Sequence, residues 1–122
     1  MPVVAVIGAS SHRHKYGNKA LRAFRAQGYT VVPIHPRETT IEGERAYASV
    51  LDYPGAIDEA TLYVQPAVAL DVMDEIARKG IKTVWLNPGA DAPEVIERAR
   101  AAGLTPIVAC SITGAGDSPG RY

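Results

Sequence analysis

The sequence has little that would cross-link the fold or anchor it in a membrane. It has one cysteine, Cys110, among 122 residues, so no internal disulfide can form. A single unpaired cysteine fits a reducing compartment, and we expect a cytoplasmic protein. The apolar run after Met1-Pro2 is about five residues long, which is too short for a signal or membrane-spanning segment.

The sequence also lacks a surplus of charge of either sign. Thirteen Lys and Arg residues balance thirteen Asp and Glu residues, so the formal net charge is zero. No overall field would attract nucleic acid or an anionic membrane, and any basic site must be local. The hydrophobic content of 47% is ordinary for a soluble globular protein, and the length suits a single domain.

Short apolar runs alternate with helical patterns along the chain, and this alternation predicts an α/β fold with a parallel sheet. We expect a three-layer Rossmann-like sheet of about five strands, ordered 3-2-1-4-5. The five predicted strands, in chain order, are Val3–Ile7, Thr30–Ile34, Thr61–Val64, Lys82–Leu86 and Thr105–Ala109. Pro33 predicts that one side of the second strand is not fully paired.

Cap and stop residues predict where the helices and the domain end. Asn18 is a candidate N-cap for the first helix, and Gly28 follows its end. Another helix is predicted to end at Gly80, and a third to begin at Asp91 with Pro93 in its first turn. Residues 1–113 would form one domain, and residues 114–122, "GAGDSPGRY", would form a flexible tail.

The stretch "VAVIGASSHRHKYGN" begins like a buried strand that leads into a nucleotide-binding turn. Gly8 stands where a dinucleotide-binding fingerprint would begin, but the other two glycines of that fingerprint are missing. In their place Ser10 and Ser11 offer hydroxyl groups, and Arg13 and Lys15 offer positive charge. Together with the N-terminus of the following helix, these groups predict a phosphate-binding loop.

The residues after the second predicted strand separate the candidate ligands. NAD-binding folds usually carry an acidic residue here, which holds the ribose hydroxyls. This sequence has His35-Pro36-Arg37, followed by Glu38. Arg37 would attract a phosphorylated ribose, which favours coenzyme A (CoA), with its 3′-phosphate, or NADP, with its 2′-phosphate.

Several segments, taken in order, resemble the family of stand-alone CoA-binding domains, whose fold is also that of the N-terminal domain of the succinyl-CoA synthetase alpha subunit. They are "VAVIGAS", "KYGN", "GYTVVPIHP", "VQPAVALDVMDEIARKGIKTVWLNPGA" and "AGLTPIVAC". The resemblance extends from about Val3 to Cys110 and implies that the chain binds CoA. The catalytic histidine of the synthetase lies outside this module, so the resemblance does not imply the ligase reaction.

The resemblance also implies which residues would contact CoA. The diphosphate would be lined by Gly8, Ala9, Ser10, Lys15, Tyr16, Gly17 and Asn18. Pro36 and Arg37 would lie near the phosphorylated ribose. The adenine would rest against Val64, Gln65 and Pro66, and the loop after the fourth strand would contribute Asn87, Pro88 and Gly89.

The sequence offers little catalytic chemistry. Cys110 is the one candidate nucleophile, and a buried apolar role is the commoner one for a lone cysteine. His12 and His14 have no third residue with metal-ligand spacing, so we assign no metal site and no catalytic residue. The leading interpretation is a small CoA- or acyl-CoA-binding protein, leaning away from an enzyme. The alternatives are an NADP-binding or reductase-like module and a domain with a vestigial pocket. A homodimer and an enzyme partner that uses acyl-CoA both stay open.

Overall fold

The computed structural model describes residues 2–122 and confirms the α/β fold. Five parallel strands form the main sheet: β1 (Val3–Ile7), β2 (Thr30–Ile34), β5 (Glu59–Leu62), β6 (Thr83–Leu86) and β7 (Thr105–Val108). The helices are α1 (Tyr16–Ala26), α2 (Pro66–Lys79), α3 (Pro93–Ala101) and the short α4 (Ser111–Gly114). No helix within residues 2–122 has the length and the hydropathy needed to cross a bilayer.

The strands lie in the order β2-β1-β5-β6-β7. Numbered as the five predicted strands, this order is 2-1-3-4-5 in place of 3-2-1-4-5, because β5 pairs with β1 and β6 instead of with β2. The outer edge of β2 is paired at its carboxyl end. Tyr47 donates its backbone N–H to the carbonyl of Pro33, and its own carbonyl accepts the N–H of His35, so Tyr47 pairs with the end of β2 on that edge. Pro33 thus lies on a strand at the border of the parallel sheet, as the sequence predicts.

Alternate residues of the central strands face two separate cores, which produces the three layers. On one side, Val4 and Val6 of β1 pack with Leu21 and Phe24 of α1. On the other side, Ala5 and Ile7 belong to a core that includes Met73 and Ile76 of α2 and Val95 and Ala99 of α3. A strand covered on both faces must be apolar throughout, which is why β1 reads Val-Val-Ala-Val-Ile.

The segment between β2 and β5 contains a hairpin that the sequence pattern does not reveal. The two-residue strands β3 (Thr40–Ile41) and β4 (Glu44–Arg45) pair antiparallel around Glu42 and Gly43, both with positive φ. The hairpin brings the carboxylate of Glu42 to helix α1, where it lies 3.1 Å from Nδ2 of Asn18.

Residues 114–122, for which the sequence predicts a flexible tail, fold back onto α1. The proposed boundary at residue 113 falls inside α4, and Pro119–Arg121 form a 3-10 turn. The side chain of Asp117 is fully covered and accepts hydrogen bonds from Gln27, the residue that follows α1, and from the hydroxyl of Tyr122. These contacts attach the segment to the helix that follows the first loop.

Candidate functional site

A groove of 830 Å³ lies beyond the carboxyl ends of the strands, next to the end of β1. In the sheet, β2 lies on one side of β1 and β5 lies on the other. The loop after β1 leads towards β2 and the loop after β5 leads towards β6, so the two loops diverge and leave a gap between them. Open parallel sheets bind their ligands at such a position. The observed strand order therefore places the groove between the first loop and the loop after β5.

Most of the predicted site residues line this groove. They are Gly8, Ala9, Ser10, Lys15, Tyr16, Gly17, Pro36, Val64, Gln65, Pro88 and Gly89. The predicted residues outside the lining are Ser11, Asn18, Arg37, Pro66 and Asn87. Four further residues complete the lining, namely His14, His35, Tyr63 and Val68.

Two of the four additional residues follow from where an element ends or begins. The third predicted strand ends at Leu62 instead of Val64, so Tyr63 is already part of the loop. Helix α2 begins at Pro66, which brings exposed Val68 to the rim of the groove in the first helical turn. Tyr63 stands next to the predicted site residues Val64-Gln65-Pro66, which could have indicated it. Because the predicted strand extends to Val64, the sequence assigns Tyr63 to the strand and not to the loop.

Hydrogen bonds to the buried side chain of Asn18 hold the first loop in place. Helix α1 begins at Tyr16, so Asn18 lies inside the first turn and is not the N-cap. Its Nδ2 donates to the carbonyl of Ser10 at 2.8 Å, and its Oδ1 accepts from Nε of Arg22 at 2.6 Å. The sequence predicts Asn18 as a residue that contacts the ligand, and the structure places it behind the loop, outside the groove lining.

The turn after β1 is built for close approach of backbones. Gly8 has a φ of +92°, and a Cβ placed on it would lie 2.3 Å from the carbonyl oxygen of Tyr63. Gly17 lies against the same turn, since its Cβ would lie 2.1 Å from the carbonyl oxygen of Gly8. In the first turn of α1, Asn18 N–H donates to the carbonyl of Lys15 at 3.1 Å, which leaves the N–H groups of Tyr16 and Gly17 without a partner among residues 2–122. Because the turn also contains no acidic residue, this end of the groove favours an anion.

His35, Glu38 and Ser11 connect the tip of β2 to the first loop. Nδ1 of His35 accepts the backbone N–H groups of Arg37 at 3.0 Å and Glu38 at 2.9 Å. The carboxylate of Glu38 accepts the backbone N–H of Ser11 at 3.3 Å and lies 3.5 Å from Nε2 of His35. Hydrogen bonding by Ser11 lowers the pKa of Glu38 below its ordinary value. Arg37 is exposed beside this cluster.

A second, smaller pocket of 310 Å³ continues from the groove. The two share Tyr16, Tyr63 and Pro88, and the smaller pocket adds Asn87, Cys110 and Pro119. Cys110 is partly exposed, so the structure differs from the fully buried role that its residue type favours. Pro119 places the folded C-terminal segment on the wall of this pocket.

A buried network of polar side chains positions the second pocket. Asn87 donates to Thr61 Oγ1 at 2.7 Å and accepts the backbone N–H of Ser111 at 2.8 Å. The hydroxyl of Ser111 lies 2.9 Å from that of Tyr63. Burial raises the pKa of Tyr63 to about 12, so its phenol stays protonated at neutral pH and serves as a hydrogen-bonding group.

The charges around the groove suit an anionic ligand better than a metal ion. None of the described residues that line it is Asp or Glu, whereas His14, Lys15 and His35 are part of the lining. Among residues 2–122, no three His, Cys, Asp or Glu side chains come together in a way that could hold a metal ion. The glycine turn, the helix N-terminus and the positive charge of Lys15 therefore fit the phosphates of a nucleotide.

The fold and the groove define a Rossmann-like nucleotide-binding domain. The sequence matches the CoA-binding domain family over residues 2–116, and the chain belongs to this family. This membership confirms both the resemblance seen in the sequence and coenzyme A as the cofactor that the sequence predicts.

Known proteins similar to this chain are of two kinds. The acetate–CoA ligase (ADP-forming) II subunit alpha of Pyrococcus furiosus is 35% identical over 82 residues, which cover 66% of this chain and 18% of the relative. A conserved hypothetical protein from the same organism has a TM-score of 0.84 and 32% identity over 93% of this chain and 99% of its own. An acetyl-coenzyme A synthetase 1 of Ca. Korarchaeum cryptofilum has a TM-score of 0.77 and 27% identity, covering 88% of this chain and 25% of its own. This chain thus spans less than a fifth of the curated ligase subunit and nearly all of the small hypothetical protein.

Proposed function

We propose that this chain holds CoA or an acyl-CoA in the groove and performs no acyl chemistry of its own. The observation that carries the proposal is the groove itself, which joins the glycine turn after β1, the first turn of α1 and the tip of β2 without a carboxylate in its lining. A diphosphate is an anion that such backbone N–H groups and Lys15 would hold.

The predicted contacts assign the parts of CoA along the groove. The diphosphate would lie on the first loop, over Gly8, Ala9 and Ser10. The adenine would lie between Val64-Gln65 and the rim at Val68. The phosphorylated ribose would lie at Pro36-Arg37. The pantetheine arm would then pass Tyr16 and Tyr63 into the second pocket, which ends at Cys110 and Pro119.

The partner in this proposal is an enzyme that makes or consumes acyl-CoA. The ligase relatives carry a much longer chain than the matched region, and the name of the Pyrococcus furiosus subunit describes an acetate–CoA ligase. We infer that the acyl transfer is carried out by groups outside residues 2–122, because the groove lining offers no general base paired with a nucleophile.

Binding measurements with a panel of ligands test the proposal. Isothermal titration calorimetry and thermal unfolding would compare CoA, acetyl-CoA, NAD and NADP. A ligand present at 100 times its dissociation constant stabilises the fold by about 2.7 kcal/mol. We expect CoA and acetyl-CoA to bind and NAD to bind far more weakly. Tighter binding of NAD would refute the assignment, and binding of NADP alone would favour a reductase-like module. Release of free CoA from acetyl-CoA by the purified chain would contradict the absence of acyl chemistry.

A further inference from the structure

Glu38 bridges the two loops that the proposed function assigns to the phosphates and the ribose. One of its carboxylate oxygens, Oε2, accepts the N–H of Ser11 at 3.3 Å and lies 3.5 Å from Nε2 of His35. Ser11 belongs to the loop after β1, and His35 lies directly after β2. Oε2 of Glu38 therefore lies close to one N–H group from each of the two loops.

Backbone contacts determine which ring nitrogen of His35 faces that oxygen as a donor. Nδ1 accepts two backbone N–H groups, from Arg37 and Glu38, so its lone pair is in use. The proton of the neutral ring is consequently on Nε2, the nitrogen that faces the carboxylate. The N–H of Ser11 thus donates to Oε2 of Glu38, and the Nε2–H group of His35 is a second donor that lies beside the same anionic oxygen at 3.5 Å.

We propose that this donor pair is a subsite for the phosphate on the ligand's ribose and that Glu38 occupies it until the ligand displaces the carboxylate. The inference rests on the proposed function and deepens it, since it makes Glu38 a residue that sets ligand specificity. A 3′-phosphate must compete with the carboxylate for the two donors. A ribose with a free 3′-hydroxyl has no anion to place there and can donate to the carboxylate instead.

The turn after β2 explains how the carboxylate of Glu38 reaches the proposed phosphate subsite. Glu38 lies three residues after His35, and the turn between them, held by Nδ1 of His35, directs its side chain back to that ring. Arg37, one residue earlier, is exposed at the same turn and can attract the incoming phosphate. Adjacent residues of opposite charge would therefore act in opposite directions on the preference for a phosphorylated ribose.

The experiment compares CoA with dephospho-CoA, which lacks only the 3′-phosphate, by calorimetry on the full chain. The variants are Glu38→Gln, which removes the charge and keeps the shape, and Glu38→Ala. The control is Glu97→Gln. Glu97 is exposed on α3 and lies outside the groove lining, so this substitution removes the same charge at a distance from the proposed subsite. The measured quantity is the ratio of the dissociation constant of dephospho-CoA to that of CoA.

We expect Glu38→Gln and Glu38→Ala to raise this ratio about tenfold over the parent, and Glu97→Gln to leave it unchanged. A tenfold change corresponds to ~1.4 kcal/mol, close to the lower end of the contribution of one hydrogen bond to a charged group. A ratio that stays at the parent's value or falls in the Glu38 variants overturns the inference, while CoA binding by the parent upholds the proposed function. A parent chain that binds neither ligand overturns the proposed function and the inference with it.

Discussion

Gly17 in the first turn of α1 packs directly on the carbonyl of Gly8 at the end of β1. The two backbones are so close that a Cβ on Gly17 would lie 2.1 Å from the carbonyl oxygen of Gly8. In a dinucleotide-binding fingerprint, the third glycine allows this close contact between helix and strand. Gly17 does the same here from a greater distance along the chain, and the inserted residues form the basic loop beside the groove.

The first prediction concerns this contact. Gly17→Ala should destabilise the fold by about 1–3 kcal/mol or more, because the added methyl group forces the helix away from the strand. Urea unfolding of the parent and the variant measures the difference. Gly120→Ala is the matched control, since a Cβ there meets its nearest neighbour, Ser118 Oγ, at 3.7 Å. Equal effects of the two substitutions would contradict the close packing.

Arg37 is predicted to recognise the phosphate on the ribose. Arg37→Ala should weaken CoA by roughly 1.5–3 kcal/mol, the usual contribution of a charge-assisted hydrogen bond, and weaken dephospho-CoA much less. Calorimetry with both ligands measures the effects. Arg100→Ala, an exposed residue of α3, controls for the loss of one positive charge. A similar loss for CoA and dephospho-CoA would place Arg37 away from the 3′-phosphate.

The second pocket predicts that the ligand protects Cys110. Because Cys110 is the chain's single cysteine, the mass of the alkylated protein reports its modification alone. Saturating acetyl-CoA should slow the reaction of Cys110 with iodoacetamide several-fold, since the pantetheine arm would lie between the thiol and solvent. ADP, which has no such arm, should protect much less. Equal protection by both ligands would mean that the arm does not enter this pocket.

The contacts of Asp117 predict a loss of stability in acid. A hydrogen bond from Tyr122 lowers the pKa of the Asp117 carboxyl below its ordinary value of 3.8. The carboxylate therefore contributes its full stability above pH 3.8 and loses it as the pH falls through the lower pKa of the folded state. The difference in free energy of unfolding between the parent and Asp117→Asn should be largest near neutral pH and shrink below pH 3.8.

Urea unfolding across this pH range checks the prediction for Asp117. Asp71→Asn, at an exposed position of α2, is the control for removal of one acidic group. If residues 114–122 move freely in solution, as their composition predicts, Asp117→Asn will not differ from the parent at any pH. The experiment thus also tests the flexible tail against the folded arrangement.

The sequence by itself determined the α/β class, the approximate strands and the residues at their carboxyl ends. Strands buried on both faces must be continuously apolar, and Gly28 and Gly80 end helices through backbone conformations that other residues rarely adopt. These are local requirements, and they remain visible in the order of residues along the chain. The same local reasoning predicts Gly8, Lys15, Pro36 and Gln65 as site residues, and all four line the groove.

Only the tertiary structure decided which strands are neighbours and what surrounds each side chain. In the structure β5 pairs with β1, while Tyr47 pairs with the end of β2 on its outer edge, and both pairings join residues far apart in sequence. Likewise, nothing local to Asn18 shows that it reaches back to Ser10, and nothing local to Glu38 shows that it meets Ser11. Such contacts depend on how separate segments pack, because hydrogen bonds between distant residues leave no periodic pattern in the sequence.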